Sequence, residues 1–182
     1  MAGLLFLALA YFAVGQSAAS RSETQGSADA AALAVAYDVR QQFAARLLES
    51  TDYSELEEVL LGRSVLVDDP CRQAEYFAGE NNAEALSCSF LSSDSIRVEV
   101  RVRALESVGE TAVPGTSGVY ATAAAKAVVE PLCVPSSDFD GSNGEDEERL
   151  ELICEEGEFS VEPGEDVSLP DLDLLFSIRL IE

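Results

Sequence analysis

Four cysteines, Cys71, Cys88, Cys133 and Cys154, are the residues of this chain best suited to covalent chemistry, and the sequence contains no histidine. Zinc sites and thioredoxin-like centres draw on Cys-x-x-Cys pairs or on histidine co-ligands, and neither is present. The expected chemistry is disulfide formation in an oxidising compartment. Three pairings are open. The sequential one, Cys71 with Cys88 and Cys133 with Cys154, closes short loops around hairpin-like segments and is favoured over the crossed alternatives.

The acidic string Asp138-Phe-Asp-Gly-Ser-Asn-Gly-Glu-Asp-Glu-Glu148 is the one stretch with a metal-like arrangement of oxygens. An EF-hand loop starting at Asp138 would place ligands at Asp138, Asp140, Ser142 and Asp146, all oxygen donors. It would also require glycine at its sixth place and glutamate at its twelfth, where this chain has Asn143 and Arg149. An exposed acidic loop is therefore the favoured reading, with calcium as the alternative and no cofactor expected otherwise. Without histidine, the Ser-His-Asp and Cys-His arrangements of nucleophilic catalysis cannot be assembled. No carboxylate pair stands in an apolar setting that would raise one pKa to that of a general acid. Gly109, Gly115, Gly118, Gly141 and Gly144 form neither a P-loop nor a dinucleotide fingerprint. The chain is not expected to be an enzyme.

Charge narrows the partners. Eleven Lys and Arg against 34 Asp and Glu leave a formal net charge of −23, so binding to a phosphate backbone is disfavoured and no nucleic-acid partner is expected. Arg97, Arg101 and Arg103 nonetheless share one face of a segment with strand alternation. That face is read as solvated, with docking of an acidic segment of the same or a neighbouring subunit as the functional alternative.

The element that must position everything else is the first fifty residues. Residues 1–20 carry no charged side chain, and as helix at 1.5 Å per residue they would extend about 30 Å, the thickness of a bilayer's hydrocarbon core. Ala30 to Leu48 is amphipathic, with Ala32, Val35, Ala36, Val39, Phe43 and Leu47 on one side and Asp38, Gln41, Gln42, Ala45 and Glu49 on the other. The expectation is one long helix, apolar at residues 1–20 and amphipathic at 21–50, carrying a head at 51–182. A cleaved signal peptide, with Leu4 to Val14 as its apolar core and Ser17-Ala-Ala19 as its cleavage site, is the competing reading. It lacks a basic n-region, and the helical pattern runs through the cleavage site.

The run from Ala2 to Ala34, most closely Gln25-Gly-Ser-Ala-Asp-Ala-Ala-Ala-Leu-Ala34, resembles the N-terminal segment of actinobacterial TadE/TadG-like proteins, the pilin-like components of Tad (Flp) pilus systems. The resemblance covers roughly the first third of the chain. It departs from the family in having no basic leader, which implies a processed chain, and in having Leu5 where type IV pilins place a glutamate. It implies a pilin-like subunit or minor component of a Tad/Flp-type surface pilus that associates with itself or with other pilins through the N-terminal helix. The membrane would hold that helix before assembly, as a single pass, and the head would be extracellular. The helix residues expected to carry assembly or membrane contact are Gly3, Leu4, Leu5, Phe6, Leu7, Leu9, Tyr11, Phe12 and Val14. A membrane-anchored extracellular binding domain that does not polymerise is the alternative.

In the head, Thr51 to Gly62 and Pro70 to Asn82 have the caps and stops of short helices. Ser87 to Leu91 and Ser95 to Ala104 read as the strands of a hairpin turning at Ser92-Ser-Asp94. Val119 to Val129 places alanine at alternate positions, and a methyl-sized face that could lie close to the alanine-rich helix favours strand there. Leu150 to Cys154 and Phe176 to Leu180 read as further strands, and Leu169 to Leu175 as one helical turn. The expected fold is α+β and pilin-like: a long N-terminal helix packed on one antiparallel sheet of four to five strands, with two disulfides.

Overall fold

These patterns become eleven elements in the computed structural model, which describes residues 2–50, 52–62, 67–92, 95–107, 118–136, 150–161 and 169–182. Helix α1 (Ala2–Glu49) is unbroken. It is followed by α2 (Tyr53–Leu60) and α3 (Arg72–Glu80). Strands β1 (Ala83–Ser92), β2 (Ile96–Ser107) and β3 (Tyr120–Pro131) come next, then the short β4 (Cys133–Pro135), β5 (Leu150–Cys154) and β6 (Gly157–Val161). A single helical turn, α4 (Leu172–Leu175), leads into β7 (Phe176–Ile181).

Local chemistry sets the boundaries. Asp52 caps α2, its Oδ1 accepting the Glu55 backbone N–H at 2.9 Å, and Gly62 ends that helix with φ +67°, a conformation that suits glycine. Asn82, at φ +55°, makes the sharp change of direction from α3 into β1, and asparagine is among the side chains that tolerate this left-handed region.

The strands form two antiparallel sheets, not the single sheet of four to five strands expected. The larger has the order β1-β2-β3-β7, and β4-β5-β6 make a separate three-stranded sheet. Leu150 to Cys154 thus belongs to the small sheet. That sheet lies between β3 and β7 in the chain and owes its existence to short-range pairing: Cys133 stands directly opposite Cys154 in the β4–β5 register, and a disulfide joins them. The second bridge, Cys71 to Cys88, ties the N-cap of α3 to β1. Both follow the sequential pairing.

The core lies between α1 and one face of the larger sheet. From the helix come Ala28, Ala31, Ala32, Val35, Ala36, Val39, Phe43 and Leu47, each fully buried. Facing them, the β2–β3 register sets Ile96 opposite Val129, Val98 opposite Ala127, Val100 opposite Ala125 and Val102 opposite Ala123. Alanine on both surfaces lets α1 lie close to β3, as the alternation in Val119 to Val129 led one to expect. Toward the end of α1 the side chains grow larger, and Phe43 meets Phe176 edge to face with ring centroids 5.5 Å apart. The small sheet adds Leu150, Leu152 and Val161 to the same core, and α4 adds Leu175.

Two polar contacts fix the helix to the sheet's far side. Arg40, buried in α1, pairs with Asp173 of α4 and lies over the Tyr37 ring at 4.9 Å. Strand β7 pairs with β3 only from Lys126 to Pro131, so the Tyr120 to Ala125 stretch of β3 has a free edge. Gln25 meets that edge, its Nε2 donating to the Ala124 carbonyl at 3.2 Å and to Asp29 Oδ1 at 2.8 Å.

If methyl-sized packing holds α1 to β3, Ala127→Leu should cost about 1–3 kcal/mol, whereas Ala124→Leu on the exposed face should stay within about 0.5 kcal/mol. Urea unfolding of the two variants at unchanged m value measures the contrast. Removing the Cys71–Cys88 bridge by double serine substitution should cost about 3 kcal/mol, the loop-closure value for its 17-residue separation. Non-reducing peptide mapping checks both pairings independently.

Candidate assembly surface

Gly3, Leu4, Leu5, Phe6, Leu7, Leu9, Tyr11, Phe12 and Val14 all lie on the first turns of α1, ahead of the head. The eight large apolar side chains among them are 57 to 84 % exposed, and they point around the whole circumference of the helix. A Cβ added at Gly3 or Gly15 would meet nothing within 4 Å. Among the described side chains of α1 the first that is buried is Thr24, whose hydroxyl donates to the Ser20 carbonyl at 2.6 Å. From there onward one side of the helix is core; before it the helix is an arm.

A contiguous run of exposed large apolar side chains is unlike the singly scattered ones of a soluble monomer and marks a surface that meets other protein or lipid. Eight side chains of this size can supply a surface of the order of the ~800 Å² that each partner brings to a standard interface. The arm's composition also sets its limits. From Gly3 to Val14, at 1.5 Å per residue, the run of large apolar side chains extends only about 17 Å, against a hydrocarbon core of about 30 Å. Ser20, Arg21 and Glu23 follow it closely. Among the described residues, no helix is long and apolar enough to cross a membrane.

A second feature of α1 escaped the sequence reading, which sought a single apolar face. Ala30, Leu33, Ala34 and Tyr37 follow the i, i+3, i+4, i+7 spacing of another stripe, turned away from the sheet. With Phe77 and Gln73 of α3 they line a groove of about 420 Å³. Tyr37 is 50 % and Phe77 38 % exposed, so the groove is open to solvent. At its end, Asp38 is held by two amides: Gln42 Nε2 donates to Oδ2 at 2.8 Å and Gln73 Nε2 to Oδ1 at 3.4 Å. The spacing was readable in the sequence; that α3 would leave it uncovered was not.

The arginine face is placed as β2 alternation implies, and among the described residues one of its three cations has an ion pair. Arg103 pairs with Glu84 of β1 and lies over the Tyr120 ring at 5.5 Å, and Arg97 Nε donates to Ser95 Oγ at 3.2 Å. Arg101 is exposed and has no ion pair among the described residues. On β7, the neighbouring Arg179 makes a two-pronged contact with Glu130, at 3.1 and 2.9 Å. Exposed pairs of this kind contribute about 0–1 kcal/mol each and mark a solvated sheet face.

The calcium candidates Asp138, Asp140, Ser142 and Asp146 lie outside the described residues. Among the described residues, no three His, Cys, Asp or Glu side chains are grouped to hold a metal ion. No family model, curated protein or solved structure matches the chain.

Proposed function

We propose that this protein is a pilin-like structural subunit or minor component of a Tad/Flp-type surface apparatus, assembling through the N-terminal arm of α1 and displaying the disulfide-bonded head outside the cell. The observation that carries this reading is the division of one unbroken helix into an arm whose described large apolar side chains are exposed and a segment packed along one side against the sheet. An arm of this kind cannot rest in water; it requires other helices or lipid around it. The membrane holds it before assembly, and helices of other subunits receive it afterwards. The resemblance of Ala2 to Ala34 to TadE/TadG-like segments points the same way.

Two further features support the reading. Disulfides on the head suit an exported domain. The head carries nearly all of the net charge of −23, so heads repel one another, and that repulsion is screened over only about 8 Å at physiological salt. Association must then come from the uncharged arm.

Leu9→Asp places an unpaired carboxylate in the middle of the arm and should weaken association by about 3 kcal/mol while leaving the head's unfolding midpoint unchanged. Sedimentation velocity of the full chain, with and without neutral phosphatidylcholine vesicles, provides the test. Unchanged sedimentation of the Leu9→Asp protein would overturn arm-driven assembly. Binding to vesicles by a chain that is monomeric without them would favour the anchored, non-polymerising ectodomain instead.

A further inference from the structure

We infer that the groove between α1 and α3 is the receptor for the apolar arm of a second copy of this chain, an assignment that rests on the arm-driven assembly proposed above. The groove is lined by Ala30, Ala34, Tyr37 and Phe77, which lie outside the subunit's own core, and by Leu33, which is shared with it. The arm presents Leu5, Leu9 and Phe12, likewise unused by its own head. Two apolar surfaces on one chain, each open, are complementary in chemistry.

The arm cannot reach the groove of its own chain. Phe12 and Ala34 lie on the same unbroken helix, some 33 Å apart at 1.5 Å per residue, and a straight helix cannot fold back on its own side. An arm seated in the groove therefore comes from another molecule. Charge permits the contact as well. The arm carries no charged side chain up to Ser20, and the one carboxylate lining the groove, Asp38, already accepts hydrogen bonds from Gln42 and Gln73. Docking therefore buries no unpaired charge, the usual penalty at such a site.

The contact joins two different patches, arm to groove. In parallel alignment each copy is displaced from the last by about 33 Å along the helix axis, with a free arm at one end of the assembly and a free groove at the other. That is the condition for open-ended growth. Raising salt should strengthen the contact, because it screens the repulsion between heads without touching an apolar interface. Docking through the arginine face would weaken instead.

All native cysteines are in disulfides, so an added cysteine is the single free thiol of its chain. Full-length Phe12→Cys protein mixed with full-length Ala34→Cys protein under mild oxidation should give a mixed disulfide between the two, which requires Cα atoms within about 7 Å. Adding Ala30→Arg to the Ala34→Cys partner should reduce that cross-link by at least about tenfold, since the guanidinium would be buried unpaired, while thermal unfolding confirms that the head remains folded. A disulfide only between two Phe12→Cys chains would show arms packing on arms and overturn the groove assignment, leaving arm-driven assembly intact. Monomers with no intermolecular disulfide would overturn both. A 12-to-34 cross-link confined to a discrete dimer would keep the groove assignment and overturn the open-ended subunit.

Discussion

The close approach of α1 to β3 is the contact on which the rest of this structure depends. A helix with bulky core residues along its whole length would stand off the sheet. Here Ala28, Ala31, Ala32 and Ala36 meet a strand whose inward positions are Ala123, Ala125 and Ala127. Small side chains bury little area each, so the stabilisation comes from tight packing over a long contact and not from a few large anchors. The large anchors, Phe43, Leu47 and Phe176, are concentrated where α1 ends, and there α2, α4 and the small sheet close around them. The helix is thus clamped at its C-terminal end and laid flat along its middle.

That arrangement makes the arm stiff. An unbroken α-helix transmits its direction from the clamped segment, so the exposed turns are held at a defined angle to the head. Stiffness matters for association, because an arm already ordered loses little conformational entropy when a partner covers it. The charge distribution completes the division: the acidic head stays in water and keeps its neighbours at a distance, while the uncharged arm is where contact is inexpensive.

The legible parts of the fold were those with a strict period. Ile96, Val98, Val100 and Val102 alternate with charged residues, and β2 follows directly. Ala32, Val35, Ala36, Val39, Phe43 and Leu47 announce the buried side of α1, and each is fully buried. What was not legible depended on partner strands and not on a period within the segment. Strand β4 is three residues ending in Pro135, and β6 has only Phe159 and Val161 as large apolar residues; neither has a period of its own. They are strands because β5 lies between them and the Cys133–Cys154 bridge holds one side in register. The arm residues were readable as apolar, while the groove depended on how far α3 would reach across α1.

Gln25 on the free edge of β3 bears on how this molecule avoids the wrong kind of polymer. Unpaired strand edges recruit other strands, and a chain concentrated by its own arms would bring such edges together. The Ala124 carbonyl, where β7 no longer covers β3, is already occupied by the Gln25 side chain, and α1 passes beside it. The same helix that gathers subunits therefore also guards the exposed backbone they could otherwise share. Coupling the two in one element means that a subunit whose helix is not properly seated is also one whose sheet edge is unguarded, so errors in docking and errors in strand pairing would arise together and be open to removal together.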